Sequence, residues 1–265
     1  MSNARDAHTA THKILLLGDT GSGKTTQILT LPRPTFAYLF DANAILSLRG
    51  QDIDYEEFLP DRLNLSIRSL KKDVGDKNST FKNELYVEWE NDFNERLKDG
   101  TFDKYQSICL DSATTFLDLI MDRVLTINGR AGQWPQQDDY GPQMLAFTNV
   151  VRTLTSLNKT ILVTGHLEVK QDNLTQRVFR KPMMTGRLST KIPLLFSDIF
   201  TCDTEVDQKG ARVHRIQTVP DRMTTTIRTS IRGLEPFENV TLNFEEPLEG
   251  QGIGGLIAWS KGATT

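Results

Sequence analysis

The chain is poor in cysteine, with only Cys109 and Cys202 among its 265 residues. Two are too few for a disulfide framework, and each lies in an apolar run where a buried free thiol is the ordinary reading, so a reducing cytoplasm is expected. Long apolar runs are missing as well. No stretch approaches the roughly 18 residues that a membrane-spanning helix needs, and Met1–His12 is polar without the hydrophobic core of an export signal, so neither a membrane partner nor secretion is expected. Excess positive charge is absent too: 31 Lys and Arg against 34 Asp and Glu leave a net charge of −3. Any contact with nucleic acid therefore has to come from a local patch. There is no internal repeat and no low-complexity tract, which argues against a solenoid or fibrous array. At this length the chain can bury a sizeable core, and one domain is favoured over two small ones.

Against these absences stands one specific motif. Gly18, Asp19, Thr20, Gly21, Ser22, Gly23, Lys24 and Thr25 fit G-x-x-x-x-G-K-[ST] at every fixed position, directly after the apolar run Ile14–Leu17. The chemistry is that of a phosphate-binding loop. Glycines let the backbone curl so that successive N–H groups point at an anion, and a following helix would add its positive end. Lys24 would reach the β- and γ-phosphates, the Thr25 hydroxyl would ligate Mg²⁺, and Thr26 would extend the cradle. A glycine-rich turn matching by chance is the bland alternative. The strand pattern before it and Thr25–Thr30 after it supply the context that a chance match lacks.

The rest of the chain reads as alternating strands and helices. Residues 1–12 read as a flexible tail and 13–265 as one unit. A helix is expected from the loop to about residue 30, stopped by Pro32 and Pro34. A second strand, Phe36–Phe40, ends in Asp41-Ala-Asn43. Residues 49–79 show little periodicity and read as loop, with one short strand at Leu63–Ile67. Phe81, Leu85, Trp89, Phe93 and Leu97 recur every four residues, the face of an amphipathic helix, and that stripe reads as core. Ser107–Asp111 is a short apolar run ending in a carboxylate, followed by a helix to about Asn128, a loop over 129–141 and a second helix from Pro142 to Leu157. Thr160–Thr164 reads as another buried strand. Asp198–Val206, the turn 207–210 and Ala211–Val219 form a hairpin signal. Repeated strand–helix units followed by antiparallel strands describe a mainly parallel α/β sheet flanked by helices and extended by an antiparallel C-terminal hairpin.

A phosphate loop needs a second carboxylate for its magnesium, placed at the end of a buried strand. Asp111 meets that description, acting mainly through water as is usual for this ion. Its alternative role is the N-cap of the next helix, for which Ser112 is an equal candidate.

Phe40-Asp-Ala-Asn-Ala-Ile-Leu46, Ile108-Cys-Leu-Asp-Ser112 and Ile161-Leu-Val-Thr-Gly-His166 resemble, in order and spacing, the nucleotide motifs of RecA-like recombinases. The chain is similar to phage-encoded members of that class, reduced to the ATPase core and used in single-strand annealing and recombination, over about residues 13–230. The resemblance implies a RecA-like P-loop fold, ATP and Mg²⁺ as cofactors and, for a phage protein, the host cytoplasm. It also places a catalytic glutamate two residues after Asp41, where this chain has Asn43. An amide can orient a water but cannot take its proton, so hydrolysis has to be slow or use Asp41, or Glu56 or Glu57 from the following loop. His166 stands where the family carries a polar γ-phosphate sensor.

The family's two DNA-facing loops correspond here to 129–141 and 168–187. Between Glu168 and Lys191 six basic residues, Lys170, Arg177, Arg180, Lys181, Arg187 and Lys191, face two acidic ones, Glu168 and Asp172, reversing the sign of the chain. With Phe179 among them, and Trp134 and Tyr140 in the other loop, this is a candidate surface for single-stranded DNA; a solvated charged hairpin is the alternative. The resemblance further implies a ring or filament of identical subunits, a neighbouring arginine (Arg222, Arg228 or Arg232) completing the ATP site, and a single-strand-binding protein as companion. Two other classes compete: an ATP-switched replication loader or scaffold without efficient turnover, and a small-molecule P-loop kinase.

Overall fold

The computed structural model describes residues 11–59 and 84–262. In chain order it runs β1 (Lys13–Gly18), a 3-10 turn (Thr25–Thr30), β2 (Thr35–Leu39), α1 (Ala44–Leu48), β3 (Asp54–Glu57), α2 (Leu85–Lys98), β4 (Ser107–Asp111), α3 (Ala113–Ile127) and α4 (Tyr140–Ser156). It continues through β5 (Thr160–Gly165), β6 (Leu167–Gln171), β7 (Val178–Pro182), α5 (Leu188–Lys191), β8 (Asp198–Val206), β9 (Arg212–Gln217), β10 (Phe237–Asn239) and α6 (Gly252–Gly262).

Eight strands form one sheet in the order β10-β9-β8-β1-β5-β4-β2-β3. The six from β8 to β3 are parallel; β9 adds antiparallel to β8, and β10 adds antiparallel to β9. This is the mainly parallel, helix-flanked sheet that the sequence predicts. The predicted hairpin is present, but its first strand doubles as a central parallel strand beside β1.

The strands are apolar throughout because both faces are covered. In β1, Leu15 and Leu17 enter one core, with α2, α3 and α4, while Ile14 and Leu16 enter the other, with the 3-10 turn, α1 and α6. In β2 the alternation is sharper: Phe36, Tyr38 and Phe40 point to the helical layer and Ala37 and Leu39 to the opposite face. Those aromatics meet Trp89, Phe93 and Phe116; Trp89 stacks on Phe93 at 5.1 Å and meets Phe116 edge-on at 4.4 Å. The four-residue stripe is core, as the sequence implies, with Trp89 and Phe93 buried and Leu85 and Leu97 packed at its rim.

Five local expectations change. The segment after the phosphate loop is a 3-10 turn and not an α-helix; Thr26 and Thr30 each donate a hydroxyl to the carbonyl three residues back, Gly23 and Gln27, which favours the tighter winding. Within 49–79 the structure has a strand, β3, whose Asp54, Tyr55, Glu56 and Glu57 are exposed at the sheet edge, a pattern with no apolar face to read. The suggested strand at Leu63–Ile67 and the start of the helix at Phe81 lie outside the described residues. Residues 167–182, read as part of a DNA-facing loop with a charged hairpin as the alternative, form that hairpin, β6–β7, as a separate two-stranded sheet. His12, the last residue of the expected tail, is fastened to Asp198 (2.8 Å) and Ser260 (3.0 Å). Finally, the chain past the hairpin closes with α6, which lies on the 3-10 turn: Gln27 accepts from the Ile253 amide, and a Cβ at Gly254 would sit 1.7 Å from the Thr30 carbonyl oxygen.

Candidate functional site

Parallel strands gather their C-terminal ends on one rim of the sheet, and in open α/β sheets ligands bind there, at the point where the strand order reverses. β1 delivers Gly18 to Lys24 to that rim, β4 delivers Asp111, and β5, which lies between them, delivers Thr164, Gly165 and His166.

The loop is a compact turn. The Ser22 amide donates to the Asp19 carbonyl at 3.2 Å, and Gly21 and Gly23 take φ of 78° and 92°. Both values lie in the left-handed region that L side chains disfavour. Asp19, Thr20 and Gly21 are exposed, whereas Ser22 and Lys24 are buried. The Lys24 ammonium folds back onto the Asp19 carbonyl at 2.8 Å. Burial pushes its pKa down, against the opposing pull of Asp111. The six-residue 3-10 turn that follows contributes far less dipole than the expected α-helix, so the loop's own amides and Lys24 carry the attraction for an anion.

Thr25 donates its hydroxyl to Asp111 Oδ2 at 2.9 Å, and Thr164 donates to Oδ1. Asp111 is 1% exposed. Burial raises its pKa most; the Thr164 bond opposes this, the nearby Asp41 charge adds to it, and the net shift is upward. The capping alternative falls to its neighbour, since Ser112 is the N-cap of α3 and accepts from the Thr115 amide. A hydroxyl and a carboxylate oxygen side by side are the hard oxygen donors that Mg²⁺ takes. Among the described residues no cluster of three or more His, Cys, Asp or Glu is arranged to hold a metal. Thr25 and Asp111 would therefore hold a cation that also binds phosphate and water. Buried Lys24 and Asp111 both have their charged forms disfavoured, and a triphosphate with its magnesium is the kind of ligand that would restore partners to both.

Asp41 is half-buried at the end of β2, where Ser112 (3.0 Å) and Thr115 donate to its Oδ1. Asn43 is exposed, begins α1 with φ 68° and makes no side-chain cap. Asn is among the few L residues that tolerate that conformation, so the backbone here suits an amide better than a glutamate. Glu56 is paired with Arg96 at 3.0 Å, and both Glu56 and Glu57 lie on β3, four strands from β1, or roughly 19 Å at ordinary strand spacing. They do not enter the site as the sequence reading allowed.

His166 is half-buried at the C-terminal end of β5, its amide donating to Thr114 Oγ1 at 3.0 Å. Burial and the Lys24 charge lower its pKa, so near pH 7 the imidazole is neutral, with one donor and one acceptor nitrogen. The next residue, Leu167, opens β6, and the Met183 amide closes the hairpin on the His166 carbonyl at 2.8 Å. Cross-strand pairing puts Glu168, Lys170, Phe179 and Lys181 on one face, with Glu168 bridging Lys170 (2.9 Å) and Lys181 (3.3 Å). On the other face Arg180 pairs with Asp203 at 3.1 Å; Arg177, just before β7, donates to the Arg222 carbonyl. Phe179 is half-buried. Arg187 lies outside the hairpin, at the start of α5. Of the arginines considered as fingers, Arg222 and Arg232 are exposed, while the Arg228 guanidinium is bound to the carbonyls of Pro193, Leu194 and Phe196 in its own chain. In the 129–141 loop Trp134 is 91% exposed and Tyr140 half-buried. Buried Asp139 ties that loop together through Gln136, Asn128 and Arg130.

Three residues of the β8–β9 hairpin that no motif flags hold the phosphate loop from beneath. Cys202 Sγ donates to the Ser22 carbonyl at 2.8 Å, Thr204 to the Gly21 carbonyl at 3.3 Å, and His214 Nδ1 lies 2.9 Å from the Ser22 carbonyl and 3.1 Å from the Thr204 hydroxyl. The carbonyl can only accept, so Nδ1 carries the proton. Burial pushes the Cys202 thiol up to about 12, and it stays a neutral donor. The contacts span some 180 to 192 positions along the chain, which is why spacing alone cannot reveal them; the pairing of Thr204 with His214 is all that the turn at 207–210 implies.

A family model described as an AAA domain matches residues 10–229. No curated protein matches the chain. Among solved structures, a KaiC-like protein from the hyperthermophilic archaeon Pyrococcus horikoshii OT3 aligns at 11% identity over 88% of this chain and 86% of that one, with a TM-score of 0.43. The Legionella pneumophila ATPase DotB aligns at 9% identity over 82% of this chain and 48% of its own, with a TM-score of 0.28.

Proposed function

This chain belongs to the AAA domain family, a nucleotide-binding P-loop class, and from that premise we propose that it binds ATP with Mg²⁺ and uses the bound state to hold single-stranded DNA during strand annealing in phage-type recombination. The observation that carries the reading is one of connectivity. β5 ends beside the phosphate loop with His166, and the next residue begins the basic hairpin β6–β7. A γ-phosphate that hydrogen-bonds His166 would bias the hairpin root one residue away.

In this reading the loop amides and Lys24 bind the triphosphate, while Thr25 and Asp111 hold the cation, which neutralises phosphate charge when bound. Lys170 and Lys181, which share a face with Phe179, exchange their Glu168 partner for DNA phosphates, and Phe179 is available to a base; Arg177 and Arg180 are held by the Arg222 carbonyl and Asp203. Subunits assemble through the exposed arginine side, with Arg222 or Arg232 reaching a neighbour's nucleotide; Arg228 is excluded by its own carbonyl contacts.

A specific observation favours slow turnover. Asn43 is an exposed amide in a left-handed conformation, and Asp41 is already engaged by Ser112 and Thr115, so neither of the two residues expected at the end of β2 offers a free carboxylate to take a proton from water. ATP then acts chiefly as a clamp, and an ATP-switched loader is the second reading.

Retention of labelled oligo-deoxythymidine on a filter at low salt, with and without ATP, separates these. ATP-strengthened retention that weakens steeply with salt is expected. Absence of retention in both states, where phosphate contacts are strongest, would sink the DNA reading. Tight ATP binding without DNA retention would favour the loader.

A further inference from the structure

On the helical face of the sheet, α4 and the segment Leu188–Leu195 enclose a groove of about 630 Å³ that takes no part in the nucleotide site. Its floor is aliphatic: Leu188 and Leu195 line it from one side and Met144 and Leu145 from the other. Leu145 and Leu194 stand 63% and 70% exposed. Three cations, Arg152, Arg187 and Lys191, surround it with no acidic residue in the lining, and among the described residues none of the three is paired with a carboxylate.

A groove with an apolar floor, unpaired cations and no acid has a definite complement. We propose that it docks an acidic peptide segment of another protein, one that presents leucine or phenylalanine side chains between aspartates or glutamates. The apolar side chains would cover Leu145 and Leu194, and the carboxylates would meet Arg152, Arg187 and Lys191 at the rim, where such pairs set specificity and encounter rate. The absence of any aromatic ring in the lining separates the groove from a single-stranded DNA site, in which bases stack on rings. Arg187, read from sequence as a DNA contact, belongs to this groove by position. The inference is independent of the nucleotide reading, because no lining residue touches the loop, Asp111 or His166.

The test uses the full chain and a short fluorescein-labelled peptide alternating aspartate with leucine and phenylalanine, followed by anisotropy in about 50 mM salt, where screening is weak. Saturable binding is expected, at least tenfold tighter than that of an equally charged polyaspartate. Arg152→Glu with Lys191→Glu should weaken it at least about tenfold, and Leu194→Ser about threefold or more, with ATP affinity and melting temperature unchanged as controls on folding. Equal affinity for polyaspartate, or no loss in the charge-reversed variant, overturns the proposal. So does displacement of the peptide by oligo-deoxythymidine, which would make the groove a nucleic-acid surface. Self-association that the Arg152→Glu and Lys191→Glu changes abolish would make the occupant a second copy, and also overturns it.

Discussion

Gly21 and Gly23 share a left-handed backbone and differ in surroundings, which makes them a matched pair for testing how the β8–β9 hairpin supports the phosphate loop. A Cβ at Gly21 meets nothing within 4 Å, whereas one at Gly23 would lie 2.9 Å from His214 Nδ1 and 3.1 Å from its Cγ. Gly21→Ala therefore costs only the conformational term, about 1–2 kcal/mol. Gly23→Ala costs that and also displaces the imidazole near its base, removing its bonds to Ser22 and Thr204 at about 1 kcal/mol each, for a total of about 3–4 kcal/mol. The Ser22 carbonyl keeps the Cys202 thiol, so no acceptor is orphaned. For a chain of this size the melting temperature should fall by about 4 °C for Gly21→Ala and about 10 °C for Gly23→Ala. Melting the nucleotide-free protein keeps phosphate contacts out of the comparison. His214→Ala alone should cost about 2 kcal/mol, yet add almost nothing on top of Gly23→Ala, since the ring has already lost its bonds. Additive losses, or equal effects at the two glycines, would refute the buttress.

Asp111→Asn should stabilise the nucleotide-free protein at pH 7. A carboxylate whose folded-state pKa is raised disfavours folding once ionised, so the gain should disappear below about pH 4, and Mg²⁺-dependent ATP affinity should fall at least about tenfold. Urea midpoints at both pH values and a titration with a fluorescent ATP analogue check the two halves. Asp198 behaves in the opposite sense: burial would raise its pKa, but hydrogen bonds from His12, Ser197 and the Ser230 amide hold it at about 2. Its contribution, about 2 kcal/mol, is present above about pH 4 and lost as pH falls towards 2. Asp198→Asn should destabilise by that amount at neutral pH and by progressively less in acid, as followed by denaturant titration. Asn43→Glu should cost about 1 kcal/mol for its left-handed φ and raise ATP turnover several-fold in a phosphate-release assay; unchanged turnover would mean that a side chain at 43 does not reach the phosphate.

What could be read in the sequence was local. Gly18–Thr25 announces itself because the spacing of two glycines, a lysine and a threonine within eight residues carries the chemistry. β1, β4 and β5 are continuous apolar runs, buried on both faces, and Trp89 and Phe93 repeat at helical spacing. The Asp207–Gly210 turn marks the hairpin register. What could not be read depends on distant partners. β3 has no apolar face because it is an exposed edge. α6 follows from no local pattern: it lies on the 3-10 turn because Gly254, without a Cβ, lets the helix approach Thr30. Arg228 looks like any surface arginine until the chain folds its guanidinium onto Pro193, Leu194 and Phe196. The β6–β7 hairpin could be offered only as an alternative to a loop, because its charges obscure the two-residue alternation. Asn43 departs from the motif, and its positive φ supplies a backbone reason that no spacing could.

The most direct measurement is the affinity for oligo-deoxythymidine with ATP, with ADP and without nucleotide, in the wild type and in His166→Ala, together with the reciprocal ATP titration. Coupling requires that ATP tighten DNA binding and that DNA tighten ATP binding by the same factor. The expected result is a factor of at least about ten, lost in His166→Ala while ATP itself still binds. One DNA affinity in all three nucleotide states would contradict the link from phosphate loop to hairpin.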